Sequence, residues 1–234
     1  MASKQVNLPG VGTLKLYKRR DNRHIRLSIT SSGEIRVSMP NWVPYSRAVA
    51  FAATKSAWIS SQLAGVISSS LKNGQAIGKA HHLSLIRDEN VANVSAKIAG
   101  TTIVVRYNQN NEFTDQIVQA AATKAAIRAL RSEAVQLLPA RLKTLAQTHA
   151  LSYQSVHVRA LKSRWGSCSQ NKDITLSLYL MQLPWELIDY VLLHELTHTV
   201  ILHHGADFWS KLEEFLPDAK TRRQAIKVYR ARII

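Results

Sequence analysis

Cysteine is almost absent from this chain: Cys168 is the only one in 234 residues. A single thiol cannot close an internal disulfide, and it excludes a zinc site built from four cysteines. Acids are scarce as well, 15 against 31 lysines and arginines, which leaves a formal charge of +16. No stretch of 18 uncharged apolar residues occurs, and Met1 leads into "ASKQVNLPGVGTLKLYK" without an apolar core. The sequence therefore predicts a soluble, cytoplasmic protein with neither a signal peptide nor a membrane span. It has no Gly-rich phosphate loop, no internal repeat and no low-complexity linker. Hydrophobic residues make up 46% of the chain, enough to bury a real core, so disorder is excluded as the default.

The few acids are concentrated. Residues 186–218 hold seven of them and one base, a net −6, which leaves +22 for everything else. A basic balance of that size suits a nucleic acid, a nucleotide, an anionic lipid or an acidic protein as partner. It equally suits scattered solubilising charge, because no long uninterrupted Lys/Arg run occurs. The densest clusters are "KRRDNRHIR" (18–26) and "KTRRQAIKVYRAR" (220–232).

Patterning divides the chain near residue 110. "HIRLSIT" and "EIRVSMP" alternate apolar with polar around "SSG", which predicts a hairpin with one buried face. Residues 46–69 have helical spacing with Ser46 as candidate N-cap, and "HHLSLIRD", "VSAKIAG" and "TIVVRY" read as short strands. From Phe113 to about Ala150 the chain is alanine-rich and helical, with a kink or break expected at Pro139. "YQSVHVRAL" and "ITLSLYL" (174–180) read as strands. Pro184 stands where a helix favours its first residue, and "WELIDYVLLHELTHTVI" is apolar and helical to about Ile201. Further helices follow at "ADFWSKLEEFL" and after Pro217. The boundaries drawn are a β-rich N-terminal part, residues 1–110, and a metal-binding catalytic domain, residues 111–234.

Four of the nine histidines fall between positions 194 and 204. His194, Glu195 and His198 form His-Glu-x-x-His. On a helix, residues four apart share a face, so both imidazoles can reach one ion while Glu195, on the shoulder of that face, can touch a water on the metal. Three protein ligands and a fourth place for water are the pattern of catalytic zinc; such a water ionises near pH 7, and a carboxylate can take its proton and pass it to a leaving group. The helix is apolar, where two histidines and a glutamate are costly to bury without a shared partner. A third ligand requires a bend. An unbroken helix would carry positions 203 and 204 roughly 7.5–9 Å further along the axis, out of reach. Gly205 is the neighbouring residue that relieves such a turn. This leaves His203 and His204 both open.

The residues Arg164-Trp165-Gly166-Ser167-Cys168, Pro184, Tyr190 to His198, and a further His ahead of Phe208-Trp209 resemble the YgjP-like metallopeptidase family, and more distantly the SprT and Spartan-type zinc proteases. "RRDNRHIRLSITSSGEIRVSMP" and "KSAWI" extend the resemblance into the N-terminal half. It implies an α+β fold: a zincin-like metallopeptidase unit preceded by a β-rich part. It also implies His204 as third ligand with His203 a bystander, and "ITLSLYL" as an edge strand that binds extended substrate by backbone pairing. Ser177 departs from the family, which has Asn there. Arg164 is a candidate for steadying a developing oxyanion, although a surface role suits it better. Trp165 and Gly166 suit core packing and close backbone approach, and Cys168 as a fourth ligand would close the site. His157, His81 and His82 lack metal spacing and read as structural.

The expected function is a zinc-dependent (Zn2+) metallopeptidase, a metallohydrolase of HExxH type acting on polypeptide through a Glu195-activated water, with His194, His198 and His204 holding the zinc. The alternatives are a zinc-dependent nucleotide hydrolase acting on phosphoanhydrides, or a nucleic-acid-associated protease of Spartan type whose binding falls steeply with salt.

Overall fold

The computed structural model describes residues 3–30, 33–68, 70–231 and 233, and the side chains of 64–68 are left aside. Ser31, Ser32 and Ser69, placed by the sequence in a turn and at a helix end, lie outside the described residues. The fold is α+β, and the chain divides into two compact units: Met1–Ser70 with Asn111–Ala120, and Leu71–Asn110 with Ala121–Ile234. The strands of residues 76–107 thus group with the C-terminal part.

The first unit opens with strands β1 (Ser3–Leu8), β2 (Gly12–Arg19), β3 (Arg26–Ile29) and β4 (Ile35–Pro40), in sheet order β1-β2-β4-β3. β1 and β2 are antiparallel, β2 and β4 parallel, and β3 and β4 form the expected antiparallel pair. Alternation sets the buried face: Leu14 is in register with Ile35 and Leu16 with Val37, and all four are buried. Each such fully buried aliphatic side chain contributes roughly 1.5–3 kcal/mol. Helices α1 (Tyr45–Ala53) and α2 (Ser56–Ser68) cover that face with Ala48, Ala52 and Ile59. The single helix expected over 46–69 is interrupted because the Thr54 hydroxyl donates to the Phe51 carbonyl at 2.8 Å, competing with the helical ladder. The N-cap is Pro44 rather than Ser46, and no side chain caps it.

The second unit begins with β5 (Ala76–Ile77), β6 (His81–Arg87), β7 (Ser95–Ala99) and β8 (Thr102–Tyr107) in order β5-β6-β8-β7. Here too the outer pairs are antiparallel and the inner pair parallel, so the first sheet's topology is repeated without a repeat legible in the residues. Helix α3 (Gln116–Thr148) runs through Pro139 as one helix instead of breaking. Proline there costs about 3 kcal/mol, offset by an alanine-rich sequence of high helix propensity and by burial of Leu138 and Leu142 on either side.

A three-stranded sheet follows, of β9 (Ser155–Arg159), β10 (Gly166–Cys168) and β11 (Asp173–Ser177) in order β10-β11-β9. This corrects the edge-strand expectation. β11 pairs with β10 on one side and β9 on the other, and the remainder of "ITLSLYL" turns into a buried 3-10 segment, Leu178–Gln182. The edge strand next to the metal-motif helix is β10. Helices α4 (Trp185–Thr197), α5 (Ala206–Phe215) and α6 (Ala219–Ala225) complete the unit. Among the described residues no helix is long and apolar enough to cross a membrane.

Candidate metal centre

Pro184 is the N-cap of α4, and the helix is apolar almost all round, with Leu187, Ile188, Val191, Leu192, Leu193 and Leu196 buried. It stops at Thr197, a turn before Ile201. Two threonine hydroxyls take carbonyls at its end: Thr197 donates to Leu193 at 2.7 Å and Thr199 to Leu196 at 2.8 Å. His198 is the C-cap, and its Nδ1–H donates to the Ile201 carbonyl at 3.0 Å, which closes the turn and leaves Nε2 with a free lone pair.

The chain then bends and α5 starts at Ala206, so the required turn is present, but its cause differs from the expectation. Gly205 has φ −73° and ψ −175°, ordinary extended backbone, and it is the N-cap of α5. Its value is room: a Cβ there would lie 2.6 Å from Asp207 Oδ1 and 2.8 Å from His203 Nδ1.

Beyond the bend, His204 brings its Nε2 to 3.0 Å from His194 Nε2 and 3.1 Å from His198 Nε2. Those two separations are near the roughly 3.3 Å kept by tetrahedral ligands about 2.0–2.1 Å from zinc, and the three side chains' ligand atoms all lie within 4.8 Å of one another. His203 goes elsewhere: its ring is exposed, accepts from the Gly205 N–H and sits 3.6 Å from Asp207. Among the described residues, His194, His198 and His204 form the one group of three or more metal-capable side chains in mutual reach.

The floor of the group is Phe208, fully buried, with its ring 4.9, 4.5 and 4.8 Å from the rings of His194, His198 and His204. Trp209 stacks on His204 at 5.7 Å and donates its Nε1–H to the His204 carbonyl. Arg223 of α6 lies 4.0 Å over the Trp209 ring. In the sequence, Phe208 and Trp209 stand out only through the family resemblance, and Arg223 not at all. The signal for Phe208 was its position four after His204 at the start of an amphipathic helix.

Burial and nearby charge keep His194 and His198 neutral. His194 is pushed down to about 3 by burial first and then by His198, His204 and Arg223; His198 is lowered by burial, against the pull of the Ile201 carbonyl. Neutral imidazole is the form that binds a metal. The donor set fits a borderline-soft divalent ion, and zinc in particular.

Glu195 is 5% exposed and takes no hydrogen bond from any described residue. Burial pushes its carboxyl up to about 8, against the Arg164 guanidinium, which pulls it down. β10 lies close by: a Cβ on Gly166 would stand 2.6 Å from Glu195 Oε1. Arg164, two residues earlier, is exposed, and its charge acts on Glu195. Cys168 is half-buried, its Sγ donates to the Ser169 carbonyl, and burial, then Glu195, raises its thiol to about 11, so it stays protonated and outside the histidine group. Ser177 is fully buried; its hydroxyl donates to the Leu161 carbonyl and its N–H to the Trp165 carbonyl, tying down the loop that carries Arg164. His157 and His82 each pair with a hydroxyl, and His81 with Glu133.

Two solved structures are similar to part of the chain. The crystal structure of the metallopeptidase zymogen abylysin of Pyrococcus abyssi matches 39% of this chain and 93% of its own, with 26% identity and a TM-score of 0.36. That of the metallopeptidase zymogen jannalysin of Methanocaldococcus jannaschii matches 38% and 92%, with 21% identity and a TM-score of 0.34. No curated protein gives a significant match. Residues 23–229 match the YgjP-like metallopeptidase domain, and the chain belongs to that family.

Proposed function

We propose that this metallopeptidase is zinc-dependent, with His194, His198 and His204 as ligands and Glu195 as the general base that hydrolyses a peptide bond. Membership of a metallopeptidase family implies a metal ion and a polypeptide substrate. The observation that carries the rest is the pairing of three convergent Nε2 atoms with a buried, unpartnered carboxylate on the next residue of the same helix. A carboxyl group placed next to the convergent imidazoles with no partner among the described residues is accounted for by a role in moving protons.

Zinc, when bound, supplies a Lewis acid that polarises the scissile carbonyl and acidifies water. Glu195 accepts the proton of the attacking water at its carboxylate and delivers it to the leaving nitrogen. An extended substrate pairs with the outer edge of β10, which no other described strand occupies, so that its carbonyl passes in front of Glu195. Arg164, whose charge acts on Glu195, favours an oxyanion there.

The test is Glu195→Gln, which preserves shape and removes the base. Turnover of a quenched-fluorescent peptide should fall at least about 100-fold, the usual worth of a general base, with the zinc content of the wild type retained. Undiminished cleavage would sink the reading. A panel of nucleoside triphosphates, assayed in parallel, should show no Glu195-dependent hydrolysis.

A further inference from the structure

The second unit has a cleft of about 410 Å³ between the loop 162–165 and the C-terminal segment 226–231. Four cations line it, Lys162, Arg164, Lys227 and Arg230, together with the aromatic rings of Trp165 and Tyr229, and no acid does. Among the described residues none of the four is paired with a carboxylate. Lys227 Nζ donates to the Gln224 amide oxygen, and Arg230 donates to the carbonyls of Lys227 and Tyr229. Some other cations of the same unit do have acids: Arg141 has Asp189, Arg222 has Asp218 and Lys211 has Glu214. Four like charges around one small concavity repel one another, and low-dielectric walls focus their field. Scattered solubilising charge does not require convergence from two separate segments.

The place of the cleft relates it to the chemistry. Trp165, one of its walls, immediately precedes Gly166, the residue pressed against Glu195. Arg223, four residues before Lys227, lies over Trp209, which stacks on His204. The cleft thus adjoins the residue that enters β10, the strand proposed to pair with substrate.

We propose that this cleft is a substrate subsite that receives a carboxylate, so that the peptidase selects acidic polypeptides. This rests on the peptidase reading above. Guanidinium groups bind a carboxylate through two parallel N–H bonds, lysines add point charge, and the rings supply flat apolar walls. The carboxylate has two sources, an Asp or Glu side chain or the C-terminus of the substrate. The field also draws acidic chains toward the site, an effect that salt screens.

The experiment uses ten-residue quenched-fluorescent peptides on one frame, with Glu, Gln or Lys scanned through the positions flanking the cleaved bond, each with a free or an amidated C-terminus. The best Glu peptide should exceed its Gln counterpart by about tenfold in kcat/KM, the worth of one charge-assisted hydrogen bond. Most of the gain should lie in KM and shrink as salt rises from about 0.05 to about 0.5 M. The double variant Lys227→Glu/Arg230→Glu should invert the order and favour Lys; an unaltered circular-dichroism melt shows that it folds. Preference that survives amidation assigns the side-chain source, and preference that follows the free end assigns the C-terminus.

Charge-independent cleavage, or a preference unaltered in the double variant, would overturn the subsite. So would single-stranded DNA that binds through Lys227 and Arg230 while peptides show no charge preference. The same peptides titrated calorimetrically into zinc-loaded Glu195→Gln protein separate the two readings. No turnover of any peptide by the wild type, with charge-selective binding intact, sinks the peptidase reading and keeps the carboxylate site; turnover without charge-selective binding does the reverse.

Discussion

Adding one methyl group at Gly166 should disable this enzyme without removing its metal. A Cβ at this position would lie 2.6 Å from Glu195 Oε1, 2.8 Å from Cγ and 2.9 Å from Cδ. Three simultaneous overlaps, one of them near the root of the side chain, cannot be relieved by rotating a free end, because Glu195 is only 5% exposed. Either the carboxylate or β10 must shift by on the order of 0.5–1 Å. Overpacking of this kind costs roughly 1–3 kcal/mol, which lowers Tm by about 2–12 °C in a chain of this size. The catalytic cost is larger: a misplacement of about 1 Å is worth about 100-fold in rate. Gly166→Ala should therefore lose about 100-fold in kcat, keep KM within a few-fold and retain its zinc, measured by steady-state cleavage and elemental analysis on the same sample. A variant within twofold of wild-type kcat would show that Gly166 does not set the position of Glu195.

Three further outcomes are expected elsewhere in the structure. His204→Ala should lose zinc and His203→Ala should keep it, by elemental analysis after dialysis; the opposite pattern would transfer the third ligand to His203. Glu133→Ala should destabilise the fold by roughly 3–5 kcal/mol, measured in urea, because the buried carboxylate accepts the N–H groups of Lys79, Ala80 and His81 and the His81 Nδ1. Burial raises the carboxyl's pKa, but His81 and the three N–H groups outweigh it and hold it below 4.5. A depressed folded value means that its stabilisation is complete above 4.5 and fades as pH falls further. Wild type should therefore lose more stability than Glu133→Gln between neutral pH and acid; equal losses would refute the assignment.

Much of the site is readable from residue spacing. Four-residue spacing on an apolar helix singles out His194 and His198, and the length of the helix demands a bend before a third ligand. What spacing cannot supply is the direction taken after the bend, since His203 and His204 are adjacent; only their surroundings differ, with Phe208 beneath one and solvent around the other. The fold is legible where alternation is strong, as in β4 and β8. It is not legible where hydrogen bonding competes with pattern: Thr54 interrupts a continuous helical stretch, and Ser177 ends β11 inside an alternating run that reads as one strand. The central position of β11 and the edge position of β10 depend on pairing between distant segments, of which "ITLSLYL" and "GSC" carry no mark. The repeated four-strand topology leaves no trace for the same reason, because many residues satisfy one alternation. The cationic cleft is assembled from residues more than sixty positions apart.

The central claim is a three-histidine zinc site with a place left for water beside Glu195. Anomalous diffraction at the zinc edge from crystals of the zinc-loaded protein tests it most directly. One strong peak is expected about 2.0–2.1 Å from the Nε2 atoms of His194, His198 and His204, with no fourth protein ligand. A peak ligated by His203, or one closed by the sulfur of Cys168, would contradict it.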